Sequence, residues 1–237
     1  MAEEYLKLDT IPHNKWPVEL HEMVLDIEAK RGAMTSPAIG KETIEVIQQW
    51  VKIENARRSN IIEGNNTTYA DIEKGLAGKL PRDKVRKYRV IENTNHYNAE
   101  GFIDSSLGAI TEGTKITEGL IRETHKMLMD GIPLEADGVE HPGGYREKPV
   151  FINHSEHIPP NFKDVPALMH ELVEFCAKTD RVHYLINAAV AHHRFAWIHP
   201  FENGNGRAAR LFSYSMLKEG GFHFNGMVSL PLSLIHI

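Results

Sequence analysis

Apolar residues recur along this chain at helical spacing, in blocks separated by Gly, Pro and polar turns. Leu20, Met23, Val24 and Ile27 form the first stripe, between Pro17 and Arg31, and Gly32 stops it. A loop at Ser36-Pro37 and Gly40 precedes a second helix through Ile44, Ile47, Trp50, Val51 and Ile53. Thr68 caps a short helix reaching Leu76, with Asp71 and Glu73 suited to its first turn. Pro81 and Asp83 open a long pattern through Val85, Tyr88, Val90, Ile91 and Tyr97 toward Phe102, expected to bend or end near Gly101. Ile116 and Thr117 start another, through Leu120, Ile121, Thr124, Leu128 and Met129 to Gly131. Val165, Leu168, Met169, Leu172, Val173 and Cys176 share one face of a helix over 164–178. Residues 182–197 read as a central helix whose Ala188, Ala189 and Ala191 permit close approach, and a last helix runs from Arg207 to Lys218. The rhythm breaks at 143–152, where Gly143-Gly144 and the run Val150-Phe151-Ile152 predict a hairpin, followed by a loop to Pro160. Residues 1–15 read as an extended arm, so the prediction is a mainly α chain.

Composition narrows the class without naming a chemistry. The 237 residues suffice for one large domain or two small ones with a substantial core. A net charge of -5 disfavours a general nucleic-acid binder, which needs clustered Lys and Arg. The single Cys176 excludes an internal disulfide, sits on an apolar face and fits a reducing cytoplasm. With no basic leader and no long apolar run, a cytoplasmic protein without a membrane span is expected.

One segment concentrates candidate chemistry: His199-Pro200-Phe201-Glu202-Asn203-Gly204-Asn205-Gly206-Arg207-Ala208-Ala209-Arg210. It lies between two predicted helices. A helix beginning at Gly204 or Asn205 would aim free N–H groups and the positive end of its dipole back into the turn. Glycines let a phosphate approach the backbone, and the arginines add fixed charge with bidentate donors. His199 is then a candidate base beside a bound phosphate. A P-loop is excluded by its spacing, as is a Gly-x-Gly-x-x-Gly dinucleotide loop. His192, His193 and His199 do not read as a metal set, because adjacent helical residues point different ways and no carboxylate spacing follows.

The segment resembles the signature of Fic-domain proteins, His-x-Phe-x-Asp/Glu-Gly-Asn-Gly-Arg-x-x-Arg, with Asn203 at the usual acidic position. Supporting resemblance runs from about Val51 to Gly221. It implies an all-α Fic fold with a small β-hairpin flap, and an adenylyltransferase that moves AMP from ATP to a Ser, Thr or Tyr hydroxyl of target proteins, itself included. His199 would take the hydroxyl proton, with activity falling as pH drops through its pKa. Phe201 would anchor the loop. Asn203, Gly204, Asn205, Gly206, Arg207 and Arg210 would bind nucleotide, Arg207 on the β-phosphate side and Arg210 on the γ-phosphate, with Mg²⁺ on Asn203. Ser59-Asn60-Ile61-Ile62-Glu63-Gly64 resembles the family's inhibitory motif, so Ser59, Glu63 and Gly64 would hold the site closed through a Glu63–Arg210 pair. Tyr145, Pro149, Val150, Phe151 and Ile152 would form the flap on which a protein substrate docks by strand addition.

The resemblance leaves alternatives open: transfer of another phosphate-containing group, a non-catalytic nucleotide-binding regulator, or a toxin–antitoxin component. Homodimer formation also stays open, and no nucleic acid or membrane contact is expected through the residues present. The expected organisation is an N-terminal helical region over 1–80 carrying the inhibitory motif and a C-terminally truncated Fic domain over 81–231. Residues 232–237, Leu-Ser-Leu-Ile-His-Ile, are expected to be a non-native tail.

Overall fold

The computed structural model describes residues 16–34, 40–109, 116–152, 155–177 and 183–231. The expected N-terminal arm and the expected tail at 232–237 lie outside them, as does the Ser36-Pro37 turn. The helices are α1 (Val18–Met34), α2 (Lys41–Ile62), α3 (Tyr69–Leu76), α4 (Lys84–Ala109), α5 (Glu118–Met129), α6 (Val165–Ala177), α7 (Tyr184–Ile198) and α8 (Asn205–Glu219). Local chemistry sets several boundaries. The Thr68 side chain accepts from Asp71 N at 3.2 Å and the Thr117 side chain from Leu120 N at 3.1 Å, each meeting an N–H that the first helical turn leaves unpaired.

Around α7 and α8 the core is apolar. Ile103 and Leu107 of α4, Leu128 and Met129 of α5, Met169 and Leu172 of α6, Phe195 and Ile198 of α7 and Leu211 of α8 belong to one buried cluster. The alanines Ala188 and Ala191 are buried where α7 meets its neighbours. Cys176 is buried as well, its thiol pushed up to about 12 by desolvation, which keeps it a packing residue. Between α2 and α4 the interface is different: Asn55, Ser59 and Asn60 are buried on one side, and Asn93, His96 and Glu100 on the other.

Two expectations need correction. α4 does not end near Gly101 but continues to Ala109. At Gly101 a Cβ would meet only the end of the Lys52 side chain of α2, which can move aside, so the glycine sits inside the helix without ending it. No strand occurs among the described residues, so the hairpin predicted from Gly143-Gly144 and Val150-Phe151-Ile152 is not supported. The chain there is organised by a side chain instead of a ladder. Arg146 N donates to Pro200 O at 2.9 Å, its guanidinium gathers carbonyls on both sides, and Pro149 has no N–H to offer a partner strand.

Candidate functional site

The loop between α7 and α8 is held from several directions. α7 ends as His199 adopts the left-handed conformation (φ 51, ψ 62), its N–H donating to Phe195 O at 3.0 Å. Phe201 is fully buried and stacks on His125 of α5 with ring centroids 3.6 Å apart. The Asn205 side chain staples the turn, its Oδ1 accepting from Phe201 N and its Nδ2 donating to Phe201 O, both at 2.9 Å. Gly204, at φ 73, then turns the chain so that α8 starts at Asn205.

His125 fixes the loop from below. Gly143 N–H donates to its Nδ1 at 3.0 Å, so the ring proton sits on Nε2, which donates to Asn203 O at 3.0 Å. Sequence reasoning passed over this residue, although it shares the stripe of Ile121, Leu128 and Met129, and a polar group on a core face is a signal. Asn203 itself is fully engaged: its Nδ2 donates to Asp137 O at 2.8 Å and its Oδ1 accepts from Gly204 N at 2.7 Å. Glu202 points away from the turn and pairs with Lys148.

The two arginines are buried and face different partners. Arg207, 4% exposed, donates through Nη1 to Glu92 Oε1 at 3.0 Å, while Glu92 Oε2 accepts from Asn65 at 2.7 Å. Its Nε is buried with no acceptor, a spare donor beside the first turn of α8. Arg210 reaches the end of α2: Nε donates to Ser59 Oγ at 2.7 Å, and Nη2 to Ser59 O at 2.9 Å and Glu63 Oε1 at 2.7 Å. Glu63 caps α2 with Gly64 turning away at φ 84. The fit needs Gly206, where any Cβ would run into Glu63 Oε1. Ser59 and Glu63, predicted together, therefore meet Arg210, and Gly64 ends the helix beside them.

His199 shares a pocket with Ile62, Ala196, Gly206, Ala209 and Arg210. Its Nδ1 lies 3.4 Å from Ala196 O, which can only accept, so Nε2 keeps its lone pair. Burial is the largest cause holding its pKa below the ordinary value, with Arg146 adding to the effect. His192, on the same face of α7, donates from Nδ1 to Ser213 Oγ at 2.7 Å, since that hydroxyl already gives its proton to Ala209 O. Of the docking residues, Tyr145 is half-buried with its OH on Glu118 Oε2 at 2.9 Å, while Phe151 is 84% exposed and Pro149 is exposed; Val150 and Ile152 are partly covered.

Burial keeps a set of histidines neutral here: His125, down to about 4, and His96, His192, His199 and His223, all lowered by desolvation first. A histidine with a depressed folded pKa binds its proton in the unfolded chain first, so stability is lost as pH falls from about 6.5 toward the folded value. His125 alone contributes a loss of about 3 kcal/mol by pH 4. Urea unfolding measured from pH 7 to 4.5 should show this loss, involving more than one proton, with a shallower slope in His125→Gln. A midpoint constant down to pH 5 contradicts it.

Residues 115–217 match the family profile described as Fic/DOC family. The protein adenylyltransferase Fic of Nematostella vectensis is 29% identical over 208 residues, covering 85% of this chain and 45% of the relative. That of Drosophila willistoni is 26% identical over 199 residues, covering 83% and 38%. The chain thus spans less than half the length of these curated relatives. Among solved structures, a Fic domain containing signaling protein from Bacteroides thetaiotaomicron superposes with a TM-score of 0.68 at 24% identity, covering 83% of this chain and 72% of the other. Fic-1 from C. elegans gives 0.71 at 18%, covering 85% and 58%. The profile over residues 115–217, the fold and the His199–Arg210 segment agree in likening this part of the chain to Fic/DOC family domains.

Proposed function

We propose that this chain transfers the AMP moiety of ATP to a Ser, Thr or Tyr hydroxyl of a protein, and that Glu63 holds it in a restrained state. The name adenylyltransferase carried by its relatives supports the reaction class. The observation that carries the reading is local: a neutral His199 and Arg210 line one pocket at the first turn of α8. The target oxygen attacks the α-phosphorus, the bond from that phosphorus to the bridging oxygen breaks, and pyrophosphate leaves. The hydroxyl proton passes to His199 Nε2. The first-turn N–H groups of α8 offer donors to phosphate oxygens, and the buried Arg207 adds positive charge behind them. Arg210, once free of Glu63, offers a fork to the terminal phosphate. The target segment docks along residues 147–151, of which all but the partly covered Val150 are exposed.

Mg²⁺ fits one protein donor here, Asn203 Oδ1, which would exchange the Gly204 N–H for the ion while phosphate oxygens complete the shell. Bound there it would offset charge on the departing pyrophosphate. The amide brings no charge. Asn203→Asp should therefore lower the Mg²⁺ needed for half-maximal rate by roughly tenfold. It also removes the donor to Asp137 O, at a cost of about 1 kcal/mol in stability. An unchanged Mg²⁺ titration contradicts the assignment of Asn203.

Labelled ATP tests the reaction class. With Glu63→Gly protein, label in the α-phosphate should become protein-bound and label in the γ-phosphate should not. Retention of γ-label would mean phosphotransfer, and retention of neither would mean a binding role.

A further inference from the structure

Arg146 has no place in the reaction just described, yet it is 3% exposed. Among the described residues its side chain bonds only to backbone carbonyls. Nε donates to His199 O at 2.8 Å, Nη2 to Pro160 O at 2.6 Å and Ile198 O at 3.4 Å, and Nη1 to Lys148 O at 3.4 Å. A guanidinium taken out of water without an anion is costly, and burial depresses its own pKa. A neutral amide could pin a loop at lower cost. The position of the charge matters as well as its bonds. His199 stands in a conformation unusual for a residue with a side chain, and Arg146 holds its carbonyl. The same fork holds Lys148 and Pro160, which bracket the exposed Phe151 and Ile158.

We infer that Arg146 is a positioning residue for the base: one guanidinium locks the left-handed turn at His199 and both ends of the docking segment into a common frame. That fork, together with the Arg146 N–H on Pro200 O and the Lys148–Glu202 pair, sets the distance from imidazole to incoming hydroxyl. Its fixed charge also opposes protonation of the ring. The other groups facing that ring are His157 from the docking segment, Glu63 from α2, Arg210 from α8 and His192 along α7. Glu63 favours the protonated ring, whereas Arg146 and His157 oppose it. In a chain lacking Glu63, the fixed charges left around the base are the guanidinium groups of Arg146 and Arg210.

This rests on His199 acting as the base, and the test separates the two claims. In a Glu63→Gly background, Arg146→Lys keeps the charge and loses the fork. It should lower kcat by about ten- to a hundredfold with KM for ATP within about threefold and the acid limb of the pH–rate profile unmoved. Arg146→Met loses both, and the acid limb should also move to higher pH. Arg146→Lys at the parental rate, or Arg146→Met with an unmoved acid limb, overturns the inference. A third measurement reads the ring directly: by NMR, the His199 ring should titrate at a higher pH in Glu63→Gly/Arg146→Met than in Glu63→Gly, and the same titration in both overturns the inference. If Glu63→Gly transfers no label at all, the transfer reading fails while that pair of titrations still reports on Arg146.

Discussion

Glu63→Gly should raise self-modification by about tenfold to a hundredfold, the range that one charge-assisted hydrogen bond is worth. Arg210 is 7% exposed and bonded through Nη2 to both Ser59 O and Glu63 Oε1. A carboxylate 2.7 Å from that guanidinium takes the donor that a terminal phosphate would use. It also fills the space above Gly206 with negative charge, which repels a phosphate from the helix end. Removal leaves Arg210 oriented, because Nε still donates to Ser59 Oγ at 2.7 Å. Intact mass after incubation with ATP gives the readout. Glu63→Gln is the informative companion, since it keeps the shape and removes the charge. Equal rates for the parental chain, Glu63→Gln and Glu63→Gly would defeat the proposal.

His199→Ala in the same background should cost about a hundredfold to ten-thousandfold in kcat, the usual contribution of a positioned base. His199 sits at φ 51, so alanine adds backbone strain to the chemical loss. His199→Asn tolerates that conformation and separates the two. Both variants should keep nucleotide affinity within a few fold, because Arg207, Arg210 and the α8 amides are untouched. A rate above a tenth of the parental value in His199→Asn would remove histidine from the mechanism.

Local signals were legible in the chain, and distant ones were not. Thr68 and Thr117 announce helix starts because the cap and the N–H it serves lie within one turn. The Gly204–Asn205 start of α8 is likewise written in adjacent residues. Arg146 looked like any charge in a polar turn, since its burial comes from carbonyls at 160 and 198–199. Glu92 gave no sign of pairing with Arg207, which lies far along the chain on α8. Gly101 carried the wrong implication: a glycine inside a helical pattern reads as a stop, yet one glycine costs a helix only about 1 kcal/mol and the 26-residue α4 runs through it.

The interface between α2 and α4 has a consequence for how the latch can open. At the last turns of α2, Ser59 and Asn60 are buried and polar, as are Asn93 and His96 of α4, and Ser59 is held by Arg210 of α8. Lifting that end of the helix would uncover amides, a hydroxyl and an imidazole, groups that water solvates readily. Oily surface on α2 is concentrated one and two turns earlier, at Val51, Ile53 and Ala56. The helix is therefore anchored by its apolar middle, while its tip combines buried polar groups with Ile62, so opening the latch wets amides and a hydroxyl along with only a small apolar contact.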